Sequence, residues 1–106
     1  MTSKNVYRVD KFVVPVAGRD EFLKAVLHTH ELLRTQRGFL HDLLLEQESG
    51  PDSLKIVTLA AWEDDDAVAA AGAAVKADRA ASGFDPQALM DRLGVTADLG
   101  NYREVA

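Results

Sequence analysis

Cysteine is absent from the 106 residues, which removes disulfides, thiolate metal sites and a cysteine nucleophile together. No stretch approaches the roughly 20 consecutive apolar residues that a helix needs to span a bilayer. The opening Met1-Thr2-Ser3-Lys4-Asn5-Val6 carries one positive residue and no apolar run behind it, so a cytoplasmic protein with no membrane partner is expected. Basic residues number 12 against 17 acidic ones, a formal charge of -5. They are scattered singly, so no basic patch follows a phosphate backbone and nucleic acid is not an expected partner. Glycine-rich phosphate loops, a Gly-x-Ser-x-Gly elbow, His-Glu-x-x-His and an acidic calcium loop are all missing. His28 and His30 look like a chelating pair, but residues two apart on a helix point about 200° from each other. Asp64-Asp65-Asp66 diverges in the same way and reads as helix capping. No metal site is expected.

What is present fits one domain over residues 1–106, with 47% hydrophobic residues and a modest core. Val6 to Val14 is rich in β-branched and aromatic residues and reads as a strand, stopped by Pro15 and the Gly18 turn. Arg19 to Arg37 switches to helical spacing, with Phe22, Leu23, Val26, Leu27, His30 and Leu33 on one arc. Gly38 ends that helix. Phe39 to Gln47 and Leu54 to Trp62 form a hairpin across the turn cluster Ser49-Gly50-Pro51-Asp52-Ser53. Asp64 is placed to cap an alanine-rich helix running to about Ser82, ended by Gly83. Asp85 and Pro86 open a short helix to Leu93, and Gly94 precedes a last strand from about Leu99 to Val105.

This order gives an α+β, ferredoxin-like βαββαβ fold: an antiparallel sheet with both helices on one face. A sheet with one wet face should alternate apolar and polar residues. Leu43-Leu44-Leu45 and Ile56 to Ala61 are instead apolar on both faces. The second face needs a cover, and the simplest is another copy of the chain, two sheets packing as a dimeric α/β barrel. A monomer whose loops cover that face competes, although the connections look short for it.

Trp62, where the third strand hands over to the acidic helix start, lies where pockets between sheet and helices open, or else plugs the end of the core. Alternation puts Arg8, Asp10, Phe12 and Val14 on one face of the first strand, and Ile56, Thr58, Ala60 and Trp62 on one face of the third. If both rows face the helices, Asp10 and Trp62 share a cavity in which Asp10 acts as a general base. Alternatively Asp10 forms a structural ion pair with Arg8 or Lys11. His30, beside Val26 on the apolar arc, is either a pocket acid or base or a satisfied core histidine. His41 could face the pocket or the dimer interface. Tyr102 offers a phenol to a substrate oxygen, or simply packs at the edge. The expected site is therefore Asp10, His30 and Trp62 as catalytic groups, with Arg8, Phe12, Val26, Thr58 and Tyr102 binding substrate.

The chain resembles the antibiotic biosynthesis monooxygenase family along nearly its whole length. The resemblance rests on the helix start Gly18-Arg19-Asp20-Glu21-Phe22 and on Arg37-Gly38-Phe39 entering the second strand. Its clearest parts are Ala61-Trp62-Glu63-Asp64-Asp65-Asp66-Ala67-Val68 and Val75-Lys76-Ala77. It implies a homodimer with a pocket in each subunit, and oxidation of an electron-rich aromatic or polyketide-like substrate by dioxygen with no cofactor. It also implies relatives that degrade haem or only bind small molecules. Where such relatives carry an asparagine on the first strand this chain has Asp10, and where many carry a histidine nine residues after the tryptophan it has Ala71, so the haem reading loses its axial ligand. A non-enzymatic dimer binding a small ligand, and an isomerase or cyclase using the same pocket, are the alternatives.

Overall fold

The computed structural model describes residues 4–106, so the reading of Met1, Thr2 and Ser3 lies outside the described residues. The chain runs β1 (Val6–Pro15), a 3-10 turn (Val16–Gly18), α1 (Arg19–Leu33), β2 (Phe39–Glu48), β3 (Ser53–Trp62), α2 (Asp65–Ser82), α3 (Pro86–Leu93) and β4 (Thr96–Tyr102). The strands form one antiparallel sheet in the order β2-β3-β1-β4. This is the ferredoxin-like arrangement expected, with α3 inserted before the last strand. No helix among the described residues is long and apolar enough to cross a membrane.

Short polar signals set the element boundaries. The Asp64 carboxylate accepts from the Ala67 amide at 2.9 Å, satisfying one of the free N–H groups that open a helix. Asp85 does the same for Gln87 and Ala88, at 3.0 and 3.2 Å, with Pro86 in the first turn. Two elements differ from expectation by more than one residue. α1 ends at Leu33 rather than Arg37, because the Thr35 and Gln36 amides turn back to the Leu32 and Leu33 carbonyls at 3.1 and 3.0 Å. The Thr35 hydroxyl also donates to the Leu32 carbonyl at 2.7 Å, the local competition by which polar side chains unwind a last turn. β4 covers Thr96–Tyr102 rather than Leu99 to Val105, since pairing starts opposite Val13 as soon as Gly94 releases the chain. Its polar Thr96 and Asp98, exposed on an edge strand, hid that start.

Register decides what each face carries. Arg8, Asp10, Phe12 and Val14 stand opposite Ala60, Thr58, Ile56 and Leu54, and this row faces the helices as alternation requires. Above it lie two separate apolar clusters. Val14, Phe22, Ile56 and Val95 pack at one end, with Phe12, Val26 and Met90 against them. Ala60, Trp62, Ala67 and Ala71 pack at the other, with Leu33, Phe39 and Val68. Leu27, expected inside, is exposed: it lies about 100° beyond Val26, and the buried arc of α1 is narrower than the sequence pattern. The other face of the sheet is bare. Val13, Leu43, Leu45 and Tyr102 are exposed on it, and the molecule is a slab of 43 × 36 × 17 Å.

Gly38 joins the two halves of the helical layer. Its carbonyl accepts from the Glu63 amide at 2.9 Å, tying the α1–β2 turn to the β3–α2 junction. Its φ is +84°, and a Cβ there would lie 2.5 Å from that of Ala67. Gly38→Ala adds left-handed strain of about 1–2 kcal/mol to this overlap. A fall in Tm of roughly 10 °C is expected in a thermal melt; an unchanged Tm would mean that the turn has another conformation.

Candidate functional site

The two apolar clusters do not meet, and the gap between them is a cleft of about 580 Å³. Arg8 and Asp10 from β1, Thr29 and Leu33 from α1, Trp62 from β3 and Arg79 from α2 line it. Through Arg8, Asp10, Thr29 and Arg79 it continues into a second compartment of about 290 Å³, where Phe12 and Val26 form part of the wall. Volumes of this size hold small organic ligands. Inside the cleft, Arg8 Nε donates to Asp10 Oδ1 at 2.7 Å, an ion pair whose side chains keep 41% and 23% of their exposure. Lys11, the other partner considered for Asp10, points to the opposite face of the sheet, opposite Val57. Trp62 is 2% exposed and meets Phe39 edge-on, with ring centroids 5.5 Å apart at 83°. It belongs at once to the packed cluster and to the cleft wall.

Of the residues expected in the site, Arg8, Asp10, Phe12, Val26 and Trp62 converge on this cleft. Thr58 is buried in the same row, opposite Asp10. His30 and Tyr102 are placed elsewhere. Thr29 points into the cleft, and the next residue is turned about 100° around the helix, which carries His30 toward β2. There it is buried, with Nδ1 3.0 Å from Asp42 Oδ2. Arg34 Nε donates to the same Asp42 oxygen at 2.8 Å. Burial pushes the Asp42 carboxyl up, but the hydrogen bonds from His30 and Arg34 outweigh it and hold the group below its ordinary value of 3.8. Tyr102 stands opposite Tyr7 on the bare face, and His41 opposite Ala61 on the same face. His28 is exposed, with Nε2 2.9 Å from Asp78 Oδ2. Among the described residues no three His, Cys, Asp or Glu side chains gather as metal ligands.

Residues not expected in the site from the sequence complete the wall. Val68, Gly72, Val75, Lys76 and Arg79 of α2 line the cleft, at spacings of four, three, one and three residues that keep them on one helical stripe. That stripe turns from apolar to basic toward its end. It was legible in principle, but the alanines around it blur the periodicity. A Cβ at Gly72 would meet no atom within 4 Å, so this position opens straight onto space.

The sequence profile of the antibiotic biosynthesis monooxygenase family matches residues 6–80. No curated protein matches the chain. Among solved structures, SnoaB of Streptomyces nogalater, a cofactor-independent oxygenase, superposes with a TM-score of 0.71 at 22% identity, covering 98% of this chain and 96% of SnoaB. A dimeric ferredoxin-like protein from an uncultured marine organism gives 0.68 at 13% identity, over 96% and 97% of the two chains. A variant of MhuD with two manganese protoporphyrin IX molecules bound per active site gives 0.65 at 25% identity, over 95% of each chain.

The His30–Asp42–Arg34 cluster joins α1 to β2, so Asp42→Asn is expected to lower stability by about 2 kcal/mol, the scale of hydrogen bonds to a charged group. Because the folded-state value lies below the unfolded one, the contribution of Asp42 is full above pH ~4 and is lost as the pH falls through the lower folded value. Urea melts of the wild type and Asp42→Asn should therefore converge below pH ~4. A difference that stays constant down to pH ~2 would remove the carboxylate from the account.

Proposed function

The chain belongs to the antibiotic biosynthesis monooxygenase family, and on that premise we propose that it is a homodimeric, cofactor-independent monooxygenase of a small aromatic or polyketide-like substrate. The observation that carries the reading is the cleft: a carboxylate and an indole from one sheet face meet in an apolar hollow large enough for a fused-ring substrate. Asp10 takes a proton from a phenolic or benzylic position, and Arg8 holds the carboxylate in place. The resulting anion is electron-rich and gives its electrons to dioxygen. A C–O bond forms, the O–O bond then breaks with loss of water, and a carbonyl stands where a CH2 group stood. Trp62 and the aliphatic wall orient the ring against Asp10.

Haem does not fit the same cleft. The position nine residues after Trp62 is Ala71, a buried methyl, and the three histidines lie elsewhere: His30 against Asp42, His28 beside Asp78, His41 on the bare face. No imidazole is available there as an axial ligand.

The bare sheet face supports the dimer. Leu43 and Leu45 of β2 and Val13 of β1 form an exposed apolar surface, and the relative from a marine organism with this fold is a dimer. A second copy laid face to face would remove that surface from water.

Two measurements test the reading. Oxygen uptake is expected with at least one member of a panel of hydroxyanthrones and quinols, falling about 100-fold in Asp10→Ala, the scale of general-base catalysis, and falling also in Trp62→Phe. Absence of uptake across the panel would favour simple binding or proton transfer, and unchanged rates in both variants would remove these residues from the mechanism. Sedimentation at micromolar concentration should give twice the 11.5 kDa of one chain, with Leu43→Lys plus Leu45→Lys shifting it to monomer; a wild-type monomer would overturn the dimer.

A further inference from the structure

Arg79 is left over by the reaction just described. Its Nε is shut away from solvent with no hydrogen-bond partner, although its side chain lines both compartments of the cleft. Guanidinium groups are always charged, and a buried N–H without an acceptor is costly, so the Nε of Arg79 on a pocket wall calls for a partner. The surrounding charges do not supply it. The Asp10 carboxylate pairs with Arg8 through Oδ1, Asp85 Oδ1 at the rim accepts from the amides of Gln87 and Ala88, and neither carboxylate forms an ion pair with Arg79. Lys76, one turn before Arg79 on the same wall, adds a second cation. Among the described residues neither Lys76 nor Arg79 takes part in an ion pair. A chain of net charge -5 thus places Arg79 and Lys76, neither in an ion pair, on the wall of this cleft.

We infer that Arg79, with Lys76 beside it, is the specificity-determining residue of the cleft and selects ligands that carry a carboxylate on an aromatic body. The inference rests on the cleft being the substrate site, as proposed above. A planar guanidinium matches a carboxylate through two parallel hydrogen bonds. The charged side chains lining the cleft are three cations, Arg8, Lys76 and Arg79, and two carboxylates, Asp10 and Asp85, so one net positive charge remains and suits one negative group rather than a doubly charged phosphate. The aromatic body is set by the remainder of the wall, where Leu33, Trp62, Val75 and Phe84 present apolar surface. The carboxylate then anchors at α2 and the ring lies toward Asp10, so that recognition and proton transfer occupy different ends of one ligand.

The test uses a matched pair, anthraquinone-2-carboxylate and anthraquinone-2-carboxamide, which share shape and differ in charge. Trp62 is the single tryptophan of the chain and its fluorescence reports on the cleft directly. The carboxylate is expected to bind the wild type at least about tenfold more tightly than the amide, a difference of about 1.4 kcal/mol, and to weaken as salt is raised. Arg79→Met should abolish the preference, with the carboxylate losing at least about tenfold more affinity than the amide; Arg79→Lys should keep part of it; Arg92→Met, which removes an arginine outside the cleft, should keep all of it. Circular dichroism verifies that each variant is folded. Equal affinities for the two compounds in the wild type, no binding of either, or a preference that survives Arg79→Met would overturn the inference. A carboxylate preference without oxygen uptake would sink only the oxygenase reading, and uptake without the preference would sink only this one.

Discussion

An ion pair in the middle of β1 is what keeps the helical layer from closing. Arg8 and Asp10 occupy consecutive inward positions, between buried Val6 at one end of the row and Phe12 and Val14 at the other. Apolar residues there would let the two clusters merge and bring the helices down onto the sheet. Buried or half-buried ion pairs seldom add more stability than well-packed hydrophobic residues of similar size. This pair therefore marks a place where the chain keeps space open at the expense of packing, as functional sites do. The cleft between the clusters opens at that interruption, with the indole and the basic end of α2 on its wall.

Sequence made the fold legible because its signals are local and agree with one another. Asp64 and Asp85 declare helix starts, Gly83 and Gly94 declare ends, and strict alternation assigns the faces of β1 and β3. Part of the site followed from the same alternation, which brought Arg8, Asp10 and Trp62 to one side before any contact was known. The rest needed three dimensions. His30 lies on the arc that includes Val26 and Leu33, yet one step of helix rotation separates it from the cleft, and only the position of Asp42 on β2 shows where it goes. Tyr102 depends on the register of an edge strand whose start was obscured by polar residues. Arg79 carries no signal of its own, because an arginine on an alanine-rich helix reads as a solvated surface residue until the wall beside it is seen.

Membership of the antibiotic biosynthesis monooxygenase family covers residues 6–80, which include Trp62 and the wall of α2 as far as Arg79 but not Phe84 or Asp85. The short helix α3 and the edge strand β4 fall outside that span, while the superposition on SnoaB covers 98% of the chain. Structures at 13% to 25% identity share the architecture while their reported ligands and activities differ. A common frame does not carry a common chemistry. Over the sheet this chain hangs a carboxylate on β1, a buried alanine on α2 and an arginine two turns further on.

Gly72 gives that diversity an economical route. A methyl added there touches nothing, and replacing glycine inside a helix favours the helix by roughly 0.5–1 kcal/mol. Alanine at this one point would narrow the cleft by a single methyl group that meets no neighbouring atom. The chain therefore carries an adjustable aperture, whose setting could drift between relatives or be chosen in the laboratory while the reacting end stays as it is.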